Sequence, residues 1–519
     1  MHKASFVAAG IMGSRLAGLV RLRVFAHYFG LQSEAADAFN AAFRIPNFLQ
    51  NLFGEGALSA SFIPVYARLV AGGDPRAASR VAGAVGALLG LTIAVLVLGG
   101  VLAAPLLTAV LAPGFTGAQR DLTTALVRIL FPGAGLLALS AWCLGILNSH
   151  ERFLLSYAAP VVWNGAMIGT LVAFGGGAET ARLAILLAWG SVAGSALQVA
   201  VQVPAVLRLA PALTLQLDLA SAHVRTVVRT FVPALVGRGV VQISAFIDTL
   251  IATWLPTGAV TGLANAQLLY TLPVSLFGIS VAAAELPALA GDAAAARATR
   301  DTTGLRARLE TGFRRIAFLV VPSMVVFLAL GDLVASALLQ TGRFRHEDAV
   351  YVWGLLAGSA IGLLAATLSR LCASAYYALG DTRTPVRYAL VRVGLGTVIG
   401  YVLAIIAPGW LGLPPSWGAA GLTLAGGMTA WVELSLLWRS LDRRLGPTRL
   451  SASYLARLSL AAFAGTAAAW GTRAILPAWP PAGLVLPVLG AFGIVYLATA
   501  AACHVPEARA LLTGTRAPG

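Results

Sequence analysis

The stretch Val81–Leu111 reads VAGAVGALLGLTIAVLVLGGVLAAPLLTAVL and carries no charged side chain. About 20 apolar residues in a helix cross a hydrocarbon core of ~30 Å. Lipid offers no partner for backbone N–H and C=O groups, so a run of this kind is predicted to be helical. Similar runs recur at Leu183–Leu207, Phe318–Leu339, Leu355–Leu379 and Leu484–Ala502. Between them no interval reads as a soluble domain, and the longest polar one, around Gly291–Arg315, is expected to be a loop.

Composition points the same way. Of 519 residues 58% are apolar and 11% charged, and mean hydropathy is +0.83. A soluble domain carries about 25% charged residues. The 56 glycines suit close helix packing in lipid, although a base-composition bias toward Ala, Gly and Arg accounts for them equally well, since Lys3 is the single lysine among 36 basic residues. Cys143, Cys372 and Cys503 are far apart and the six histidines are scattered, so neither disulfide nor metal spacing is present. The first apolar segment begins near Ala4 and contains Arg15, Arg21 and Arg23, unlike the uninterrupted centre of a cleavable signal, and is read as retained. There is no Gly-rich nucleotide loop behind a strand and no room for a catalytic domain, so the chain is read as a transporter and not an enzyme.

Apolar segments between charged or Pro/Gly breaks give an all-α fold of about fourteen transmembrane helices. They are expected at 4–28, 35–69, 81–112, 122–147, 153–175, 182–208, 230–254, 261–290, 313–339, 350–379, 384–407, 416–439, 453–476 and 482–503. Loops and edges after even-numbered helices carry Arg68, Arg76, Arg80, Arg152, Arg208, Arg225, Arg229, six arginines between 297 and 315, Arg383, Arg387, and five between 439 and 457. The opposite loops offer Arg120, Arg182, Arg343, Arg345 and Arg473. Positive residues stay inside, which puts both termini in the cytoplasm and accounts for most of the net charge of +16 without a nucleic-acid partner.

Two pieces recur. Arg44-Ile45-Pro46 followed by Phe62-Ile63-Pro64-Val65-Tyr66-Ala67 resembles Thr271-Leu272-Pro273 followed by Glu285-Leu286-Pro287-Ala288-Leu289-Ala290. The turn His150-Glu151-Arg152 before Pro160 has a counterpart in Gly380-Asp381-Thr382-Arg383 before Pro385. An offset of six helices preserves orientation, so the repeat is parallel. The division expected is an N-lobe over 1–229, a C-lobe over 230–450, and two further helices with a cytoplasmic tail over 451–519.

Ionisable residues inside a bilayer are costly and by default face a bundle interior or a wet cavity. Arg15 and Arg21 lie about 9 Å apart along helix 1. Snorkelling to the interface suits Arg21 or Arg23 but not Arg15. Arg238, between Gly237 and Gly239, is the counterpart in helix 7; Arg370 and Arg392 read as snorkelling, and Arg44 and Arg128 are ambiguous. Guanidinium groups lining a cavity suit an anionic cargo, because they pair bidentately with phosphate and keep their charge. The alternative is internal pairing with Asp37, Glu55, Asp248, Glu285, Asp332 or Glu433.

The segments Ser14-Arg15-Leu16-Ala17-Gly18-Leu19-Val20-Arg21, Ala36-Asp37-Ala38-Phe39, Phe43-Arg44-Ile45-Pro46-Asn47-Phe48-Leu49 and Leu52-Phe53-Gly54-Glu55-Gly56-Ala57-Leu58-Ser59 together resemble the MurJ/MviN family of lipid II flippases. So do Ala112-Pro113-Gly114-Phe115, Pro273-Val274-Ser275-Leu276-Phe277-Gly278 and Gly380-Asp381-Thr382-Arg383-Thr384-Pro385. The family lies in the multidrug/oligosaccharidyl-lipid/polysaccharide exporter superfamily, and the resemblance spans about Ala4 to Arg439. It implies two six-helix lobes around a central cationic cavity, a polyprenyl groove made by two C-terminal helices, and alternating access that carries lipid II from the cytoplasmic to the outer leaflet of the inner membrane. Arg15 and Arg21 match cavity arginines, and Asp37 and Glu55 join them as substrate-binding candidates. Two family arginines are missing: Gln50 and Asn51 stand at one position and Leu268 at the other, and Arg238 is expected to restore a charge. Some members bind Na+ as coupling ion; Asp248, Asp381, Thr397 and the Val393 carbonyl fall on those positions, with Tyr377 replacing an amide ligand. Hard oxygen ligands suit such a cation, although Asp381 also reads as a turn residue. Expected partners are lipid II or a similar undecaprenyl-linked precursor, membrane lipids and other cell-wall synthesis proteins. The alternatives are a flippase for another lipid-linked oligosaccharide, a drug antiporter, or a non-transporting scaffold of the cell-wall machinery.

Overall fold

The computed structural model describes the backbone of 2–513 except 219, 300, 449 and 478. It describes the same side chains apart from 2–9, 11, 54–56, 234, 236–245, 279, 283–284 and 297–298, so Arg238 and Glu55 lie outside the described side chains. Among the described residues nine helices are long and apolar enough to cross a membrane, or ten if the pair His346–Ala360 and Leu363–Ala378, bent by 43°, is one span. Each of the fourteen expected stretches has a helical counterpart.

The chain divides into two compact units, 1–261 with 341–344, and 262–340 with 345–519. The first unit contains α1 (His2–Phe29), α2 (Glu34–Gln50), α3 (Ser59–Ala71), α4 (Pro75–Leu102), α5 (Ala104–Leu111), α6 (Gly117–Ser149), α7 (Phe153–Phe174), α8 (Thr180–Leu209) and α9 (Ala222–Ala252). Helix α6 packs on α2, α4 and α8, and α1 packs on α7. Leu126, Leu130, Leu137, Ile146 and Leu147 run along the buried face of α6. Helix α9 was expected to open the second lobe but clusters with the first unit, where Phe231 meets Phe53 and Phe246 meets Phe48. It starts at Ala222, eight residues before the expected 230, because hydropathy marks the edge of the lipid while the helix continues through polar turns. The preceding linker crosses α4 so closely that a Cβ on Gly83 would sit 2.1 Å from the Thr214 carbonyl oxygen; glycine is required there.

The second unit contains α10 (Ala259–Pro273, from Gly262 onward), α11 (Ser280–Thr299), α12 (Thr303–Ala329), α13 (Gly331–Leu339), α14 (His346–Ala360), α15 (Leu363–Ala378), α16 (Arg383–Tyr401), α17 (Ala407–Leu411), α18 (Gly418–Leu445), α19 (Ala452–Ile475), α20 (Pro481–Ala502) and α21 (Pro506–Thr513). Helix α18 gathers α14, α15 and α16. The C-terminal pair α19/α20 packs together and against α12 and α13, with polar ties among them. Tyr496 Oη donates to Phe318 O at 2.6 Å, Trp470 Nε1 donates to Ala329 O at 3.3 Å, and Arg473 pairs with Asp332 at 2.8 Å.

The polar interval expected as a loop is almost wholly helix, since α11 runs to Thr299 and α12 starts at Thr303. Alanine-rich sequence favours helix there. The facing helix ends are tied by Arg315–Glu285 at 2.8 Å, Arg308–Glu285 at 3.7 Å and a close Arg308–Asp292 pair.

Two expected long helices are interrupted alike. Asn51–Leu58 and Val274–Ile279 are π-helical, each following a proline-containing helix, and each contains Leu-Phe-Gly, at Leu52-Phe53-Gly54 and Leu276-Phe277-Gly278. One inserted residue per turn breaks the regular hydrogen-bond ladder, a feature that recurs at functional sites.

Candidate functional site in the first unit

Helix α1 passes α7, and α2 carries Phe43 to the same place. The Trp163 indole N–H donates to the Ser191 carbonyl and hydroxyl oxygens, both at 3.2 Å, which fixes its ring parallel to Phe43 with centroids 5.7 Å apart. Arg21 lies against both rings, its guanidinium carbon 5.2 Å from the Phe43 centroid and 5.4 Å from that of Trp163. Its Nη1 donates to the Met167 sulfur at 3.6 Å, and Met167 stands one turn after Trp163. Arg21 Nε is buried with no hydrogen-bond partner. Among the described residues no carboxylate comes within 4 Å of Arg21. Aromatic faces and a thioether attract a cation without neutralising it. Arg15, nearly two turns earlier on α1, is exposed.

Two carboxylates of this unit, Asp37 and Asp248, are engaged elsewhere. Asp37 is buried and accepts from the Gly258 N–H at 2.7 Å, the Thr261 N–H at 2.8 Å and the Thr261 hydroxyl at 2.6 Å. It therefore closes the start of α10, satisfying helix N–H groups that have no intrahelical partner. Gly258, at φ +96°, makes the turn that presents these donors. Substrate binding was expected of Asp37; its oxygens are filled by this cap. Asp248 on α9 interacts electrostatically with Arg44 on α2.

In the second unit Asp381 also caps a helix. Its Oδ1 accepts from the Arg383 and Thr384 N–H groups at 3.0 Å, its Oδ2 accepts from the Thr384 hydroxyl at 2.7 Å, and Arg444 Nη2 lies 2.8 Å from Oδ2. These contacts hold its carboxyl down to about 2, the Thr384 N–H contributing most. The Val393 carbonyl accepts from the Thr397 hydroxyl at 2.9 Å. Asp381 thus serves a helix start and a guanidinium, and Val393 and Thr397 serve each other. No cluster of three or more His, Cys, Asp or Glu suited to a metal occurs among the described residues.

The sequence did not foretell a second cationic group. Arg392 on α16 pairs with Glu433 on α18 at 3.0 Å, and Arg370 on α15 interacts electrostatically with both and with Tyr270 on α10. Arg370 and Arg392 read as snorkelling in sequence; polar residues on four different helices, none adjacent in sequence, give no local signal.

The family model described as Lipid II flippase MurJ matches residues 25–490. The probable lipid II flippase MurJ of Vibrio cholerae is 30% identical over 506 residues, covering 95% of this chain and 93% of that one. Its Haemophilus influenzae counterpart is 31% identical over 475 residues, covering 88% and 89%. A solved structure of lipid II flippase MurJ in an inward closed conformation shares the fold with a TM-score of 0.75 at 21% identity, covering 95% of this chain and 97% of that one. The chain is a multi-pass membrane protein belonging to the MurJ family of lipid II flippases.

Proposed function

We propose that this protein carries lipid II, or a close undecaprenyl-linked analogue, from the cytoplasmic to the outer leaflet by alternating access through a cationic cavity, with both termini in the cytoplasm. The single observation that carries the reading is Arg21, a half-buried side chain held by two aromatic rings and a thioether, with its buried Nε unspent. A charge kept in a membrane-embedded helix without a carboxylate is costly unless it serves an anion. The pyrophosphate of the cargo is such an anion, and a guanidinium binds it bidentately. Arg15 and Arg238 complete the proposed cationic path; Asp37 contributes by fixing α10, not by touching cargo. The parallel repeat, supported by the paired π-helical segments, supplies the two lobes, and α19 and α20 the groove for the polyprenyl tail. No step is assigned to a bound cation.

The test is complementation of a bacterium depleted of its essential lipid II flippase by wild type, Arg15→Ala, Arg21→Ala and Arg238→Ala at matched membrane levels. Rescue by wild type and failure of Arg21→Ala is expected. Absence of rescue by well-expressed wild type would move the cargo to another lipid-linked oligosaccharide, consistent with Gln50, Asn51 and Leu268. Rescue by every variant would leave a scaffold of the cell-wall machinery.

A further inference from the structure

In the first unit the start of α7 and the end of α8 line a cavity of about 550 Å³. Its apolar side is firm: Leu155, Ala205 and Leu209 pack against the core beneath, while Leu154 is exposed. Three charged residues share the lining, Glu151, Arg152 and Arg208. Among the described residues no carboxylate comes within 4 Å of either arginine. The turn ahead of α7 is held in place. Glu151 stands in the left-handed region at φ +59°, uncommon for a residue other than glycine. Its N–H donates to the Asn148 carbonyl at 3.1 Å, the Arg152 N–H donates to the Leu147 carbonyl at 2.9 Å, and His150 Nε2 lies 3.0 Å from the Tyr66 hydroxyl. Arg208 occupies the last turn of α8, where a cation is favoured, but Arg152 opens α7, where a cation is disfavoured until an anion joins it. Helix α7 has 22 residues, about 33 Å of rise, so its first turn lies at the level of the lipid headgroups.

We propose that this cavity binds a zwitterionic aminophospholipid of the surrounding membrane, with its phosphate on Arg152 and Arg208, its ammonium on Glu151 and an acyl chain along Leu154 and Leu155. Guanidiniums pair with phosphate, and a carboxylate pairs with an ammonium. A carboxylate has about four lone-pair sites, so Glu151 can take the ammonium beside another partner. A purely anionic headgroup meets Glu151 as a like charge, and a trimethylated amine has no N–H to give it. Met167, the partner of Arg21, lies about 21 Å further along α7, so this lipid site is separate from the proposed cargo contact.

The test is lipid binding by the purified full-length protein, read by native mass spectrometry. The probes are the dioleoyl forms of phosphatidylethanolamine, phosphatidylcholine and phosphatidylglycerol; none is the cargo, so the outcome does not depend on the flippase reading. Wild type is expected to bind the ethanolamine lipid about fivefold tighter than the other two, the range for one charged contact at a partly wet site. Arg208→Gln should weaken all three about fivefold, because each carries the phosphate. Arg152→Gln should do the same, and it carries the test if Arg208→Gln fails to fold. Glu151→Gln should erase the preference, bringing the three lipids within about twofold of one another. Glycerophosphoethanolamine, the headgroup without chains, should compete at least about tenfold more weakly than the lipid. Equal competition would make this a site for soluble phosphate esters and overturn the lipid. Wild type that binds all three lipids alike or prefers phosphatidylglycerol overturns the proposal. So does a preference that survives Glu151→Gln, or binding that neither arginine substitution weakens.

Discussion

Arg21 in the first unit lies against Phe43, Trp163 and the Met167 sulfur, with no carboxylate in ion-pair range among the described residues, whereas Arg392 in the second holds Glu433 at 3.0 Å. Both arginines sit in helices read as spanning the membrane, and both must offset the loss of water around a charge. The first does so with ring quadrupoles and polarizable sulfur, which leave the charge undiminished and most N–H donors unspent. The second does so by neutralisation, which fixes its geometry. An aromatic cradle keeps a cation available to a ligand, while an ion pair makes it a support for its neighbour.

The largest effect should come from breaking the cradle's cargo. Arg21→Ala is expected to lower lipid II translocation in proteoliposomes at least about 100-fold, the loss for a bidentate charged contact. Arg21→Lys should still lose about tenfold, since a compact ammonium cannot span two rings or bind a phosphate bidentately. A rate for Arg21→Ala within threefold of wild type would place Arg21 with the structural arginines and abolish the contrast.

A second prediction separates support from contact inside the first unit. Asp37→Ala leaves two N–H groups and a hydroxyl at the start of α10 without their acceptor. Buried donors deprived of a partner should cost about 3 kcal/mol of stability, visible as a lowered unfolding midpoint in detergent. Transport lost at an unchanged midpoint would return Asp37 to the cargo path. Glu433→Gln should cost less, about 1 kcal/mol, because Arg392 is 36% exposed and solvent takes up part of the freed charge. A double-mutant cycle with Arg392→Gln checks the coupling, and a value near zero would remove the ion pair from the comparison.

What the sequence disclosed follows from the range of the interactions. Apolar runs such as Val81–Leu111 are local, and each became helix. The motif around Arg15 and Arg21 was legible because its residues are close in the chain. The cradle was not: Phe43 and Trp163 are ordinary apolar residues until α1, α2 and α7 pack together, and nothing local marks Met167 as the partner of Arg21. The Asp37 cap was equally hidden, because its partners, Gly258 and Thr261, lie more than two hundred positions away. The repeat was read from prolines, while the more telling sign, Leu-Phe-Gly at the same place in both halves, was short enough to pass as chance until both copies proved π-helical. Charge in the Gly291–Arg315 interval suggests a loop, but alanine propensity and the Glu285 and Asp292 ion pairs carry helix through it.

The smallest effect concerns a carboxylate outside the membrane-spanning segments, where pH can reach it. The folded carboxyl of Asp381 is held at about 2 against an ordinary 3.8, first by the Thr384 N–H, then by the Thr384 hydroxyl, with smaller parts from Arg444 and the Arg383 N–H. A folded pKa below the unfolded one means the unfolded chain binds the proton more readily, so the ionised side chain stabilises the fold above about pH 4. That contribution shrinks as pH falls from 4 to 2 and is gone below 2. Arg444 is 43% exposed, so screening limits the total to about 1 kcal/mol. Asp381→Asn keeps an acceptor for the backbone N–H groups but loses the charge. It should therefore unfold earlier than wild type at pH 6, with the gap closing between pH 4 and 2, and the gap should be the same in sodium as in potassium at equal ionic strength. A gap that stays constant down to pH 2 would mean that neutral hydrogen bonds, not the charge, make Asp381 a helix cap. A gap that widens in sodium alone would mean that the carboxylate can leave Thr384 and Arg444 for a cation, and the second unit would then hold a switch where the arrangement described here has a support.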